Sequence, residues 1–185
     1  MASAPRWDSI VWLQQQTALP LILKGILHPQ DAVQAKKLGV EGVVVSNHGG
    51  RALEDSPASI AVLPQVRAAV GDDFLLLLDG GVRRGSDIFK ALALGAQAVL
   101  LGRPQAYSLG AAGALGVAQV LRLLREELEL TMALAGFTAT ELILAGFEPY
   151  GAMRAGKTAA LKMRPELSPD TPIYSVATYE QSMTF

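Results

Sequence analysis

No cysteine occurs in the 185 residues. That excludes disulfides and thiolate chemistry, and it fits a reducing compartment. An excess of either charge is also lacking. The formal net charge is −1, so no basic surface points to nucleic acid or to an anionic membrane. Met1 to Trp7 lacks the charged-then-apolar layout of a signal peptide. With no recognised C-terminal address either, the expected location is cytoplasmic, the peroxisome being left open. Long apolar runs are scarce. The longest uncharged stretch, Pro104 to Leu121, carries Gly110, Gly113, Gly116, Gln105 and Gln119. It reads as a buried helix rather than a membrane span. Low-complexity segments are absent.

What the chain has is apolar content: 50% of its residues are hydrophobic and the mean hydropathy is +0.29. A parallel sheet covered on both faces accounts for this, as does apolar surface meant for a partner. The length suffices for one domain but falls short of the roughly 250 residues of a whole eight-stranded α/β barrel.

Four short apolar runs, Leu21–Leu23, Gly42–Val45, Phe74–Leu78 and Ala98–Leu101, each end in a polar or glycine cluster. They read as buried parallel strands. Helical patterns lie at Gln30–Leu38, Ala58–Val70 and Ser86–Leu94, and a fourth from Pro104 to Leu134 is expected to break near its glycines. Pro29 before the first helix and Gly39 after it follow the usual punctuation. Ser86 or Asp87 can cap the third helix, and Gly95 ends it. The order, βα four times, argues for a parallel α/β sheet or barrel. Thr138 with Glu141 suggests a capped short helix ending near Gly146. Beyond Glu148 four prolines interrupt the pattern, so two regions are expected: residues 1–147 as the folded unit and 148–185 as an irregular tail.

In α/β barrels the site lies at the C-terminal ends of the strands. Here those ends are Lys24-Gly25, Ser46-Asn47-His48-Gly49-Gly50-Arg51, Asp79-Gly80-Gly81-Val82-Arg83 and Gly102-Arg103. Cations, a histidine and glycine turns converge on one rim. Gly80 and Gly81 let backbone N–H groups approach an anion, the following helix adds the positive end of its dipole, and Arg103 adds a bidentate fork. A lone Gly-Gly pair is usually only a tight turn. Two glycine–arginine turns on consecutive strands favour a phosphate site, where barrels often bind phosphate after strands seven and eight.

His48 is the candidate base, since a neutral imidazole takes a proton near pH 7. Arg51, three residues on, can clamp a carboxylate, or else form a surface pair with Glu54 or Asp55. Lys24 is either a fixed cation at the rim or a lysine reaching for solvent. His28, before Pro29 at a helix start, reads as structural.

These motifs resemble those of the FMN-dependent 2-hydroxy-acid oxidases and dehydrogenases, the family of glycolate oxidase, lactate oxidase and the flavin-type L-lactate dehydrogenase. The matching runs are Leu19 to Gly25, Ser46 to Arg51, Asp79 to Gly85, Gly102-Arg103-Pro104, and the helix Glu127 to Leu134. The resemblance extends from about Trp7 to Gly146, and Ala52 departs from the glutamine usual after Arg51. It implies the C-terminal half, about four βα units, of a TIM-type (β/α)8 barrel, with FMN as cofactor. It further implies that Lys24 lies near the flavin N1 and C2 oxygen, that Ser46 contacts the flavin, and that His48 removes a proton from a small 2-hydroxy acid whose carboxylate Arg51 binds. Asp79, Gly80, Gly81, Val82 and Arg83, with Gly102 and Arg103, would hold the ribityl chain and 5′-phosphate. The family's first half supplies substrate-binding tyrosines and the aspartate that orients the histidine, and this sequence is expected to lack it.

Three readings follow: part of an FMN-dependent 2-hydroxy-acid oxidase; an inactive half-barrel that binds FMN or another phosphorylated ligand; or a half-barrel that associates with itself or with a complementary N-terminal half. Open edges are expected at the first and fourth strands. Leu21, Leu23, Val43, Val45, Leu76 and Leu78 are expected to face the barrel interior without a facing layer.

Overall fold

Valine- and leucine-rich segments bounded by glycine form strands in a computed structural model that describes residues 5–136. The elements run α1 (Trp7–Gln16), β1 (Ile22–Ile26), α2 (Pro29–Lys37), β2 (Gly42–Ser46), α3 (Ser59–Val70), β3 (Leu75–Asp79), α4 (Gly85–Ala93), β4 (Ala98–Leu100) and α5 (Arg103–Leu134). A single 3-10 turn, His48–Gly50, follows β2. The sheet order is β1-β2-β3-β4, every pairing is parallel, and β1 and β4 are its edges. This is the expected half-barrel arrangement of βα units. The helix expected at Thr138–Gly146 and the tail from Glu148 lie outside the described residues.

Local chemistry sets the boundaries. Pro29 is the first residue of α2 rather than its predecessor, and His28 caps that helix, its Nδ1 accepting from the Gln30 amide at 3.2 Å. At α4 the cap residue is Arg84, and Asp87 serves from the third helical position. Its carboxylate accepts from the amides of Arg83 and Arg84, both at 3.0 Å. Helix α1 was not anticipated. Only Trp7 and Ile10 pack toward the core, while Trp12 is exposed, so its apolar residues make no clean stripe.

The core lies between the sheet and α2, α3 and α4. Val43, Val45, Leu76 and Leu78 are buried there with Ala32, Ala35, Leu63, Val66 and Ala91, and Leu21 and Leu23 pack against this cluster. These six residues therefore do not face the barrel interior as expected. Partners in a parallel pair share a face, and the register Lys24↔Val44↔Leu77 and Ser46↔Asp79 places the other set on the opposite, open face. On it Ile22 is 38% exposed, and Leu75 and Leu77 are only partly buried. Strands apolar on both faces give alternation nothing to act on, so the sequence did not reveal which set points inward.

Helix α5 breaks at Ala112 and Gly113, as its glycines suggested. It is not the buried helix that was expected. Among its described residues Leu124 alone is buried, and Leu115, Leu121, Leu123 and Leu130 are exposed. By length and composition alone α5 could also cross a membrane. It packs on α4 at Gly85, where a Cβ would run into the backbone of Glu127 and Leu128.

Candidate functional site

Lys24 is the only charged side chain of β1 and lies on the open face. The strand carries a bulge: Lys24 pairs with Val44 but Ile26 with Val45, leaving Gly25 unpaired at φ +98°. Lys24 Nζ reaches across to β3, 2.8 Å from Asp79 Oδ2, and donates to Ser46 Oγ at 3.0 Å. Ser46 Oγ in turn donates to Asp79 Oδ2 at 2.5 Å and accepts the His48 amide at 3.1 Å. One hydroxyl thus links three strand ends.

Burial pushes the Asp79 carboxyl up. Its hydrogen bonds from Lys24 and Ser46, and the charges of Lys24 and His48, outweigh that and hold it below the ordinary aspartate value. Asp79 is therefore an anion at neutral pH, and its side chain is 17% exposed. Ser46 was expected to touch the flavin. Its side chain is fully buried, and Oγ bonds to Lys24, Asp79 and the His48 amide.

After Ser46 the chain turns left-handed. His48, Gly49 and Gly50 have φ of 56°, 71° and 74°. A positive φ is uncommon for a residue with a side chain and marks a constrained site. The constraint is visible: Ser46 Oγ takes the His48 amide, Asn47 Oδ1 takes the Gly49 amide at 3.1 Å, and the Asn47 carbonyl takes the Gly50 amide at 3.0 Å. Asn47 is itself held, its amide donating to the buried Ser59 Oγ at 3.0 Å. Arg51 Nε donates to the His48 carbonyl at 3.4 Å, keeping the guanidinium beside the histidine.

The glycine turn after β3 is left-handed. Gly80 and Gly81 have φ of +99° and +80°, and their amides have no acceptor among the described residues. A Cβ on Gly80 would lie 2.8 Å from Asn47 Oδ1 and 3.2 Å from Ser59 Oγ, so the turn packs against the His48 loop. Val82 is buried and anchors the turn to the core, while the Arg83 side chain is exposed. The positive end of α4 is less available than expected. The Gly85 amide donates to Glu127 Oε2 at 2.7 Å, and Asp87 takes those of Arg83 and Arg84. Two carboxylates thus take three of the amides around this helix terminus.

Arg103 opens α5 directly after Gly102, and both are exposed. Its guanidinium donates to the Gly49 carbonyl at 3.0 Å, which ties it to the His48 loop. The fold thus gathers Lys24, Ser46, Asp79, His48, Arg51 and Arg103 at the C-terminal rim through shared bonds. Gly80 lies against Asn47 at the same rim, and Gly81 follows it in the turn.

Sequence reasoning missed Ser59, Glu127 and Gly25. Only Gly25 carried a signal, an isolated glycine inside an apolar strand. A cleft bounded by Asn47, Ser59, Gly80, Gly81, Asp87 and Lys90 opens behind the glycine turn. Among the described residues no group of three histidine or acidic side chains could hold a metal.

Comparison with known proteins places this arrangement. Residues 1–145 match the family model described as FMN-dependent dehydrogenase. The chain is 58% identical over 136 residues to an L-lactate oxidase of Alicycliphilus denitrificans, which covers 74% of this chain and 37% of that protein. It is 56% identical over 130 residues to a peroxisomal (S)-2-hydroxyacid oxidase of Arabidopsis thaliana, covering 70% of this chain and 36% of the relative. A crystal structure of mandelate oxidase with benzoyl-formic acid superposes with a TM-score of 0.69 at 48% identity, over 72% of this chain and 40% of the other. Another mandelate oxidase structure carries a monooxide FMN adduct, with 48% identity, a TM-score of 0.69, and coverage of 72% and 42%. The chain spans little more than a third of the length of these curated relatives. The fold is part of a TIM-type barrel.

Proposed function

The chain belongs to the FMN-dependent dehydrogenase family, and from that premise we propose that it supplies the phosphate-binding and catalytic-base side of a site that oxidises a small L-2-hydroxy acid, of the glycolate or lactate type, to its 2-oxo acid. The observation that carries the reading is the set of bonds through Ser46 Oγ. It fixes the Lys24 ammonium and the His48 backbone on one open sheet face, at the C-terminal ends of adjacent parallel strands.

The residues fit a phosphorylated flavin. Gly80 and Gly81 offer two amides without acceptors, in a backbone conformation that opens toward an anion. With Val82, Arg83, Gly102 and Arg103 they would hold the 5′-phosphate and ribityl chain, and Asp79 would close the ribityl side. Bound there, FMN would accept the two reducing equivalents of the oxidation. Lys24, its position fixed by Asp79, would present a positive charge to the bound ring. His48 takes up the proton released as the carbinol becomes a carbonyl. Arg51 binds the substrate carboxylate as a planar fork. Ser46 serves by holding Lys24, Asp79 and the His48 amide in register.

The open face bears on how this site works. Ile22, Leu75 and Leu77 retain solvent contact beside the Lys24–Asp79 pair, and among the described residues the edges at β1 and β4 are unpaired. Covering such a face is favourable, and a preorganised flavin site needs water kept out. A second copy of the chain, or a complementary N-terminal half-barrel, completes the site. The bare monomer, by contrast, binds FMN or another phosphorylated ligand without turnover.

The test is anaerobic flavin bleaching by glycolate and L-lactate. It is run with the 185-residue chain alone, and again after mixing with the part of the L-lactate oxidase that this chain does not match, with mass recorded in parallel. Bleaching is expected only in an assembly. His48→Ala abolishes it while FMN stays bound. Bleaching at an unchanged rate in His48→Ala removes the assigned role.

A further inference from the structure

We propose that Gly25 is a positioning residue for His48: the bulge in β1 is placed at a glycine so that the imidazole can rest directly against the strand. This rests on reading His48 as the base, and it names what sets the position of that base.

Three observations carry it. First, a Cβ built on Gly25 would lie 2.7 Å from His48 Nε2, 3.4 Å from Cε1 and 3.8 Å from Cδ2. Most of the ring therefore borders the space that the missing side chain leaves. Second, the backbone that carries the ring is fixed. His48 is held at φ 56° with its amide on Ser46 Oγ and its carbonyl on Arg51 Nε, so a side chain at position 25 would displace the imidazole about its own torsions. Third, the bulge divides labour along β1. Lys24 aligns with Val44 on the open face and Ile26 with Val45 on the core face, with Gly25 between them. In a regular strand residues 24 and 26 would share a face. The bulge lets Lys24 reach Asp79 while Ile26 stays packed on the core, and its extra residue carries the histidine.

Gly39 supplies the contrast. It too has a positive φ, +77°, but a Cβ there meets nothing within 4 Å. That glycine answers to backbone conformation alone, whereas Gly25 answers to conformation and to a neighbour.

The chain has two histidines, His28 and His48, so their ring signals can be followed separately by NMR on the full 185-residue protein without flavin. In the unsubstituted chain the Gly25 α-protons are expected to show nuclear Overhauser contacts to the His48 ring. In Gly25→Ala the His48 ring signals shift, while those of His28 are unchanged. Gly39→Ala, which places alanine in the same left-handed region without a steric neighbour, leaves both histidines as they were. Should Gly25→Ala not fold, the contact in the unsubstituted chain decides. Its absence overturns the proposal, as does a folded Gly25→Ala with the His48 ring signals unmoved. Loss of FMN binding alongside an intact Gly25–His48 contact would count against the flavin reading and leave this placement standing.

Discussion

The hydroxyl of Ser46 donates to Asp79 Oδ2 at 2.5 Å from a fully buried position between two adjacent parallel strands. Because the same oxygen accepts from Lys24 and from the His48 amide, its loss strands several polar groups at once. Removing one partner from a buried hydrogen bond costs about 1–3 kcal/mol. Ser46→Ala is expected to lower the stability of the chain by that amount. Urea unfolding checks it through a reduced midpoint at unchanged slope.

Asp79 gives a pH signature. Its folded-state pKa lies below the ordinary aspartate value, held down against burial by Lys24 and Ser46. A depressed carboxylate contributes stability that is fully present above the unfolded value of about 3.9 and is lost as pH falls through the folded value. Asp79→Asn is therefore expected to flatten the loss of stability below about pH 4. It should also reduce stability at neutral pH, where Lys24 loses its anion. Melting temperatures across an acid series check this, and an acid slope equal to that of the parent chain counts against it.

Much of the fold was legible because each strand is a short apolar run closed by a polar or glycine cluster, and each described helix after β1 begins near a proline, serine or glycine signal. The inward set of strand residues was not legible. Val43 and Val44 are both apolar and both buried, and only the pairing with Lys24 and Asp79 shows which face is open. Helix α1 escaped notice because it buries no residue fully. At the site, Lys24, His48 and the glycine–arginine turns announced themselves at the strand ends. Glu127 did not, because its bond to the Gly85 amide spans 42 positions, a distance at which sequence carries no local pattern.

Arg103 is expected to matter twice, as the cation proposed for the flavin phosphate and as the donor to the Gly49 carbonyl. Loss of a charge-assisted contact costs about 1.5–3 kcal/mol, or roughly ten- to a hundredfold in affinity. Arg103→Ala should weaken FMN binding within that range, read by flavin fluorescence titration. An unchanged dissociation constant would place the phosphate elsewhere.

The most direct test of the account compares FMN with riboflavin, which has the same ring and ribityl chain but no phosphate, in titrations of the 185-residue chain at equal ionic strength. If the Gly80-Gly81 turn and Arg103 form the phosphate end of a flavin site, FMN binds at least about tenfold more tightly than riboflavin, since charge-assisted bonds are the strong ones, and added salt narrows the gap. Equal affinity for the two, or binding of neither, would contradict the claim that this rim holds FMN.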